Sequence, residues 1–190
     1  VEVMPDGVYK STEAGQFVEV NQALVDMLGY ESKDELMPID IKTQLYFEVA
    51  DRESVVLKEK QEQRGQYRMK KKDGSEIWIE DHGWLNYDEK TKILYHEGIM
   101  RDITQRKHHE EELLKLSTAV EQSPSMVAIT DKNGLLEYVN PQFNTLTGYS
   151  LEEAKLTKSL IITSGHTKEQ EKEIWDTINS GEIWRGDIYN

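Results

Sequence analysis

The chain has 190 residues, a formal net charge of −13, 37% hydrophobic and 31% charged residues; this supplies apolar material for one or two modest cores under a heavily solvated surface, and the acidic balance argues against a phosphate-neutralising nucleic-acid face. It has no cysteine, which excludes disulfides, thiolate metal sites, iron–sulfur clusters and cysteine nucleophiles. No apolar run approaches the ~20 residues that span a bilayer and no leader pattern opens the chain, so a cytoplasmic protein with no direct membrane contact is expected, any anchor lying outside this stretch.

The elements follow in chain order. Residues 8–11 and 17–20 are short apolar runs about a turn carrying Gly15, the pattern of a hairpin. Asn21 stands where a helix N-cap belongs, before Ala23, Leu24, Met27 and Leu28 at helical spacing, and Gly29 follows as the C′ residue. A second short helix starts near Ser32, with acidic residues in its first turn. A helical stretch runs from about residue 51 to residue 63. Three strands are expected over residues 66–71, 76–86 and 93–102, separated by Asp73-Gly74 and by the polar stretch 88–92. The basic run Lys70, Lys71 and Lys72 adjoins Asp73-Gly74 and reads as a solvated hairpin turn.

From residue 126 the chain repeats itself. A gapless self-alignment sets Val8, Gly15, Val20, Asn21, Gly29 and Tyr30 against Val127, Gly134, Val139, Asn140, Gly148 and Tyr149. A repeat of this length is a domain duplication rather than a solenoid of short units. In the second copy Asn140 precedes Pro141, the preferred first helical residue, and Ser150 opens the next helix. The order β-β-α-α-α-β-β-β predicts an α+β domain of roughly 100 residues, one antiparallel sheet with helices on one face.

The hairpin, the Asn-led helix ending Gly-Tyr, the KKDG turn at 71–74, the strand carrying Trp78 and the closing Arg101-Asp102-Ile103-Thr104 before a charged helix together resemble PAS domains. The resemblance implies a five-stranded antiparallel PAS fold in one complete copy (1–104), a helical connector (105–122) and one incomplete copy (123–190). Ending at Asn190, the second copy is expected to lack its last strands, as a truncated or partial chain would. Its Ser164-Gly165, Ile174-Trp175, the run 180–186 and Asn190 resemble the flavin-binding PAS domains of redox-sensing regulators of nitrogen fixation and methane oxidation. That resemblance implies FAD between helices and sheet, with Trp175, Asn190 and Trp184 beside it, and Asn140 and Asn144 as further contacts. Copy one lacks the Trp-rich pattern, and no cofactor is expected there; its pocket is empty or holds something else.

Blander readings stand beside these. Trp175 and Trp184 also suit core aromatics, which need no ligand. Asn21 and Asn140 are explained as helix caps. Haem needs an axial histidine on the long helix, and residues 51–63 contain none. His166 reads as a helix-start or solvent residue, and His108-His109 as a solvated helix face without a metal-protease or phospho-acceptor motif. The flavin–cysteine adduct of light-sensing relatives is excluded by the missing cysteine. No Ser-His-Asp constellation, P-loop or paired-carboxylate motif appears.

Residues 105–121 have a helix composition, with Leu113, Leu116 and Val120 at an a/d spacing that continues backward through His109 and Arg106. The seam packs on the second domain or forms a parallel homodimer with its twin, PAS surfaces contributing; relatives that are dimers favour the second. The expected role is a non-enzymatic sensory and relay module of a signalling protein, with a histidine kinase or diguanylate cyclase output domain in cis beyond residue 190. A ligand-free dimerisation and relay module is the alternative, and an enzyme using bound flavin a third reading.

Overall fold

The computed structural model describes residues 6–47, 62–156 and 167–186. The chain divides into two compact units, Val1–Glu111 and Glu112–Asn190.

In the first unit β1 (Gly7–Thr12) and β2 (Phe17–Val20) form the expected hairpin. Gly15 at its turn has φ of 97°, a left-handed conformation that side chains resist. Three short helices follow: α1 (Gln22–Leu28), α2 (Lys33–Leu36) and α3 (Ile41–Gln44). Each starts on a side-chain cap, Asn21, Ser32 and Asp40 respectively. The chain then supplies β3 (Gln63–Lys70), β4 (Glu76–Asp88) and β5 (Ile93–Asp102). All pairings are antiparallel and the sheet order is β2-β1-β5-β4-β3. This is the predicted five-stranded α+β fold.

Strand alternation sorts the faces. Ile77, Ile79 and Asp81 of β4, Met69 of β3, Tyr9 of β1 and Met100 of β5 are buried. Leu24, Val25 and Leu28 of α1, with Leu36, Ile41 and Leu45, close over several of these as one core. Each such side chain contributes about 1.5–3 kcal/mol when fully buried. The opposite face carries Trp78, Glu80, His82 and Trp84, all partly or well exposed.

Two expectations need correction, and a third falls outside the described residues in all but its end. Helix α3 is absent from the sequence reading: it is one turn long, too short to show a periodicity, and it starts where the Asp40 carboxylate accepts from Lys42 N. The helix expected over 51–63 falls on residues outside those described, apart from its end; Gln63 opens β3 and pairs with Gly83. β4 also runs two residues further, to Asp88, because its ladder with β5 continues to Asp88 opposite Ile93. The remaining turn closes on Lys92, at φ of 57°.

Helix α4 (Thr104–Glu121) covers the stretch whose composition predicted a helix. None of its side chains is buried; Leu113 and Leu116 are 67% and 59% exposed. No helix among the described residues is long and apolar enough to cross a membrane.

The second unit has a two-stranded antiparallel sheet, β6 (Ala128–Thr130) with β7 (Leu136–Val139). Helices α5 (Pro141–Thr147), α6 (Leu151–Leu156) and α7 (Lys168–Asn179) accompany it. Leu136, Phe143 and Ala154 form its core. Thr167 and Gln170 close a reciprocal capping box at the start of α7.

Candidate sensory and relay sites

The two asparagines that lead the repeat do the same work atom for atom. Asn21 Oδ1 accepts from Val8 N at 2.9 Å and Leu24 N at 3.0 Å, and its Nδ2 donates to the Asp6 carbonyl at 3.0 Å. Asn140 Oδ1 accepts from Val127 N at 2.9 Å and Phe143 N at 3.2 Å, and its Nδ2 donates to the Ser125 carbonyl at 2.9 Å. Val8 with Val127, Leu24 with Phe143 and Asp6 with Ser125 are equivalent positions of the repeat. Asn140 Nδ2 also donates to the Val120 carbonyl at 3.1 Å. The side chain thus caps a helix, pins the first strand and, in the second copy, holds the last turn of α4.

Among the flavin candidates, Asn140 is fully buried with these partners, while Asn144 is exposed on α5. Trp175 lies half-buried on α7 against the β6–β7 turn: a Cβ at Gly134 would stand 2.8 Å from its Cη2. Gly134 therefore serves twice, taking φ of 81° in the turn and leaving room for the indole. Trp184 is half-buried with Gly186 beside its ring. Asn190, Ser164, Gly165 and His166 lie outside the described residues. Among the described residues, no hydrogen-bond or packing partner given for Asn140, Trp175 or Trp184 is common to two of them.

In the first unit the inner face of the sheet holds a polar cluster that the sequence reading missed. Asp81 is 8% exposed in the middle of β4. Tyr67 OH donates to its Oδ2 at 2.9 Å. Tyr9 OH lies 3.1 Å from Oδ2 and 3.3 Å from Oδ1. The Tyr46 ring stacks on Tyr67 with centroids 5.7 Å apart. Burial pushes the Asp81 pKa up against the pull of the Tyr67 and Tyr9 hydrogen bonds. Burial, then the proximity of Tyr46 and Asp81, lifts the Tyr67 phenol well above its ordinary value, so it remains a donor. Strand parity carried the signal, since Asp81 follows Ile77 and Ile79 on the buried side of β4.

Where the sheet gives way to α4, the joint is dense. Ile103 N donates to the Trp78 carbonyl at 2.9 Å, and Trp78 N donates to Thr104 Oγ1 at 2.9 Å. The Lys107 ammonium sits 5.3 Å from the centre of the Trp78 ring. Arg106 reaches Glu80 at 3.1 Å. Arg101 forks onto Asp6 at 2.9 and 2.7 Å, tying the entry of β1 to the end of β5. The Arg101 hydrogen bonds hold the Asp6 carboxyl below the usual carboxylate range despite its desolvation. Exposed ion pairs contribute at most about 1 kcal/mol each, so the backbone contacts to Trp78 carry most of the attachment.

A PAS domain profile matches residues 5–105, and a second matches residues 114–180. The chain belongs to the PAS domain family. Two PAS domains account for most of it, and PAS domains are sensory, non-catalytic parts of signalling proteins. Nitrogen fixation regulatory proteins of Klebsiella pneumoniae and Klebsiella oxytoca are each 34% identical to it over 74 residues, 38% of this chain and 15% of theirs. The chain thus aligns with a small part of those regulators. Among solved structures, the PAS domain of a Colwellia psychrerythraea protein is 25% identical with a TM-score of 0.46, over 54% of this chain and 89% of that one. An RNA-binding light-oxygen-voltage receptor shares the fold at 16% identity and a TM-score of 0.50, over 60% of this chain and 34% of the receptor.

Proposed function

We propose that this chain is the sensory and relay part of a signal-transduction protein: a PAS domain over 1–104, a connector over 105–122, and a second PAS domain from 123 onward. The parent protein works in the cytoplasm, with a histidine kinase or diguanylate cyclase output in cis. The observation that carries the relay is the joint at Trp78. A ligand that shifts β4 moves Trp78, and Trp78 holds the start of α4 through its carbonyl, which accepts from Ile103 N, its N–H, which donates to the Thr104 hydroxyl, and the Lys107 contact with its ring. Displacement of the sheet therefore becomes displacement of the helix.

The helix needs a partner to be worth moving. It exposes Leu113 and Leu116, and an isolated helix of this length is marginal in water. A parallel homodimer seamed on Leu113, Leu116 and Val120 covers them. Leu116→Glu places a charge in that seam and is expected to weaken association at least tenfold (about 1.4 kcal/mol). Sedimentation of wild type and variant measures it, and a wild type that stays monomeric at high concentration removes the dimer from the scheme.

The second domain is proposed to take FAD, with Trp175, Trp184, Asn190, Asn140 and Asn144 as its candidate contacts. Trp175 can wall an isoalloxazine ring, and an asparagine amide both donates and accepts at its polar edge. Reduction of the ring would change its hydrogen bonding and so its neighbours. One observation favours the competing ligand-free relay: the packing of Trp175 on Gly134 explains that indole without a flavin. Protein carrying the whole second domain, expressed with added FAD and desalted, should be yellow. Trp175→Ala should then lower flavin occupancy at least tenfold. Colourless protein, or a Trp175→Ala variant that loses stability but no flavin, decides for the ligand-free relay.

A further inference from the structure

Along α4 the a/d stripe reads Arg106, His109, Leu113, Leu116 and Val120. Its apolar part is short, so the polar layers at its start weigh heavily in whether two copies stay together. The helix also has a face that is already engaged. Arg106 reaches Glu80, Lys107 lies over the Trp78 ring, and Glu110 pairs with both Arg106 and Lys107. At 3.6 residues per turn, His109 stands about 100° round the helix from the middle of that group and within about 40° of Leu113, Leu116 and Val120. It is exposed, and among the described residues no hydrogen bond or ion pair engages it. His109 therefore belongs to the seam and not to the joint with the sheet.

A histidine at a d position meets its own copy when two such helices run parallel and in register. Two neutral imidazoles suit that layer, since each has one N–H donor and one acceptor and the two rings can share a hydrogen bond. Two protonated imidazoles have donors only. They repel each other, and the seam takes them out of water, which disfavours the charged form. The charged groups around them do not relieve this. The hole that His109 enters is lined by Arg106, His109, Glu110 and Leu113 of the second copy. Arg106 adds one more positive charge from each helix. Glu110 is the nearest carboxylate of that hole, and Arg106 and Lys107 of its own helix already claim it. Glu112 lies three residues along the same helix as His109, where it accompanies the ring in the single chain as much as in the pair.

We propose that His109 makes the connector seam a pH switch: two copies pair through α4 while the imidazoles are neutral and separate as they gain protons. The proposal rests on the homodimer reading of α4 and gives that seam its regulation. Association expels protons, so added protons oppose association. The chain as a whole pushes the other way. Its net charge of −13 shrinks as carboxylates and histidines take up protons, which lessens the repulsion between copies. The sign of the pH effect on association thus separates a histidine in the seam from the overall charge.

The test is sedimentation of the full chain at pH 7.5, 6.5 and 5.5 and constant ionic strength, with circular dichroism at each pH to verify that the protein stays folded. A free imidazole takes its proton near pH 6.5, so about nine-tenths of such rings are charged at pH 5.5. Each proton the seam excludes then raises the dimer Kd about tenfold between pH 7.5 and 5.5. Wild type should therefore weaken about tenfold if the two rings share one proton and about a hundredfold if they admit none. His109→Gln keeps a polar layer that cannot gain charge, and its Kd should stay level or fall on acidification. His109→Leu supplies a further apolar layer and should pair more tightly than wild type, by a margin that widens at pH 5.5. His108→Gln changes a ring outside the stripe and should keep the wild-type dependence. A dimer whose Kd is level or falls at pH 5.5, or a His109→Gln variant that weakens as wild type does, overturns the switch and leaves the seam standing. A wild type that is monomeric at every pH removes the seam and the switch together.

Discussion

Asn140→Ala is expected to destabilise the second domain by about 3 kcal/mol or more. Loss of the cap alone costs about 1 kcal/mol. The Val127 amide and the Val120 and Ser125 carbonyls lose a partner as well, and a buried polar group left unpaired costs about 1–3 kcal/mol. Against a typical domain stability of about 5–15 kcal/mol the loss is severe. Asn140→Asp separates capping from bracing. Aspartate caps helices as well as asparagine, yet it has no amide to donate and would face the Val120 and Ser125 carbonyls with negative charge. Chemical denaturation of the three proteins should therefore place the aspartate variant near the alanine variant. An aspartate variant as stable as wild type would reduce the residue to an ordinary cap. Asn21→Ala should repeat the effect more weakly in the first domain, where the side chain is only partly buried.

Asn140 also shows what could be read from the sequence. A helix cap is local chemistry: an acceptor, a following proline and an apolar repeat lie within a few residues. Gly15, Gly29 and Gly74 were legible for the same reason, since each sits at a positive φ in a short turn or cap. The strands were legible from alternation. Their order was not, because β1 lies between β2 and β5 and nothing near β1 in the chain announces β5. The Asp81 cluster escaped on the same account. Tyr9 and Asp81 are 72 residues apart, and their contact exists only once β1, β5 and β4 are side by side. The joint at α4 divides similarly. Its heptad was visible, whereas the seat of Lys107 on Trp78 depends on β4 and β5 pairing. The flavin candidates were chosen by resemblance, and the described residues give Trp175 a packing partner in Gly134 that spacing could not reveal.

Gly98→Ala is expected to cost the first domain about 3 kcal/mol, although it adds only one methyl group. The new carbon would lie 2.8 Å from Tyr9 Cε1 and 2.9 Å from the His82 carbonyl oxygen, closer than such atoms approach. The carbonyl belongs to the β4–β5 ladder and cannot retreat without breaking pairing, so the ring must move. Overpacking of this kind typically costs about 1–3 kcal/mol. Moving the ring also withdraws the Tyr9 hydroxyl from Asp81 and leaves Tyr67 as the described donor to a buried carboxylate, which adds about 1–3 kcal/mol. The two residues should therefore be coupled. Tyr9→Leu alone removes the phenol and its hydrogen bond; added to Gly98→Ala, it should cost much less than it does alone, because the alanine has already displaced the ring. Denaturation of both single variants and the double variant closes the cycle. A Gly98→Ala protein of wild-type stability, or costs that simply add, would mean that Gly98 does not seat Tyr9, and the polar cluster on the inner face would lose its structural basis.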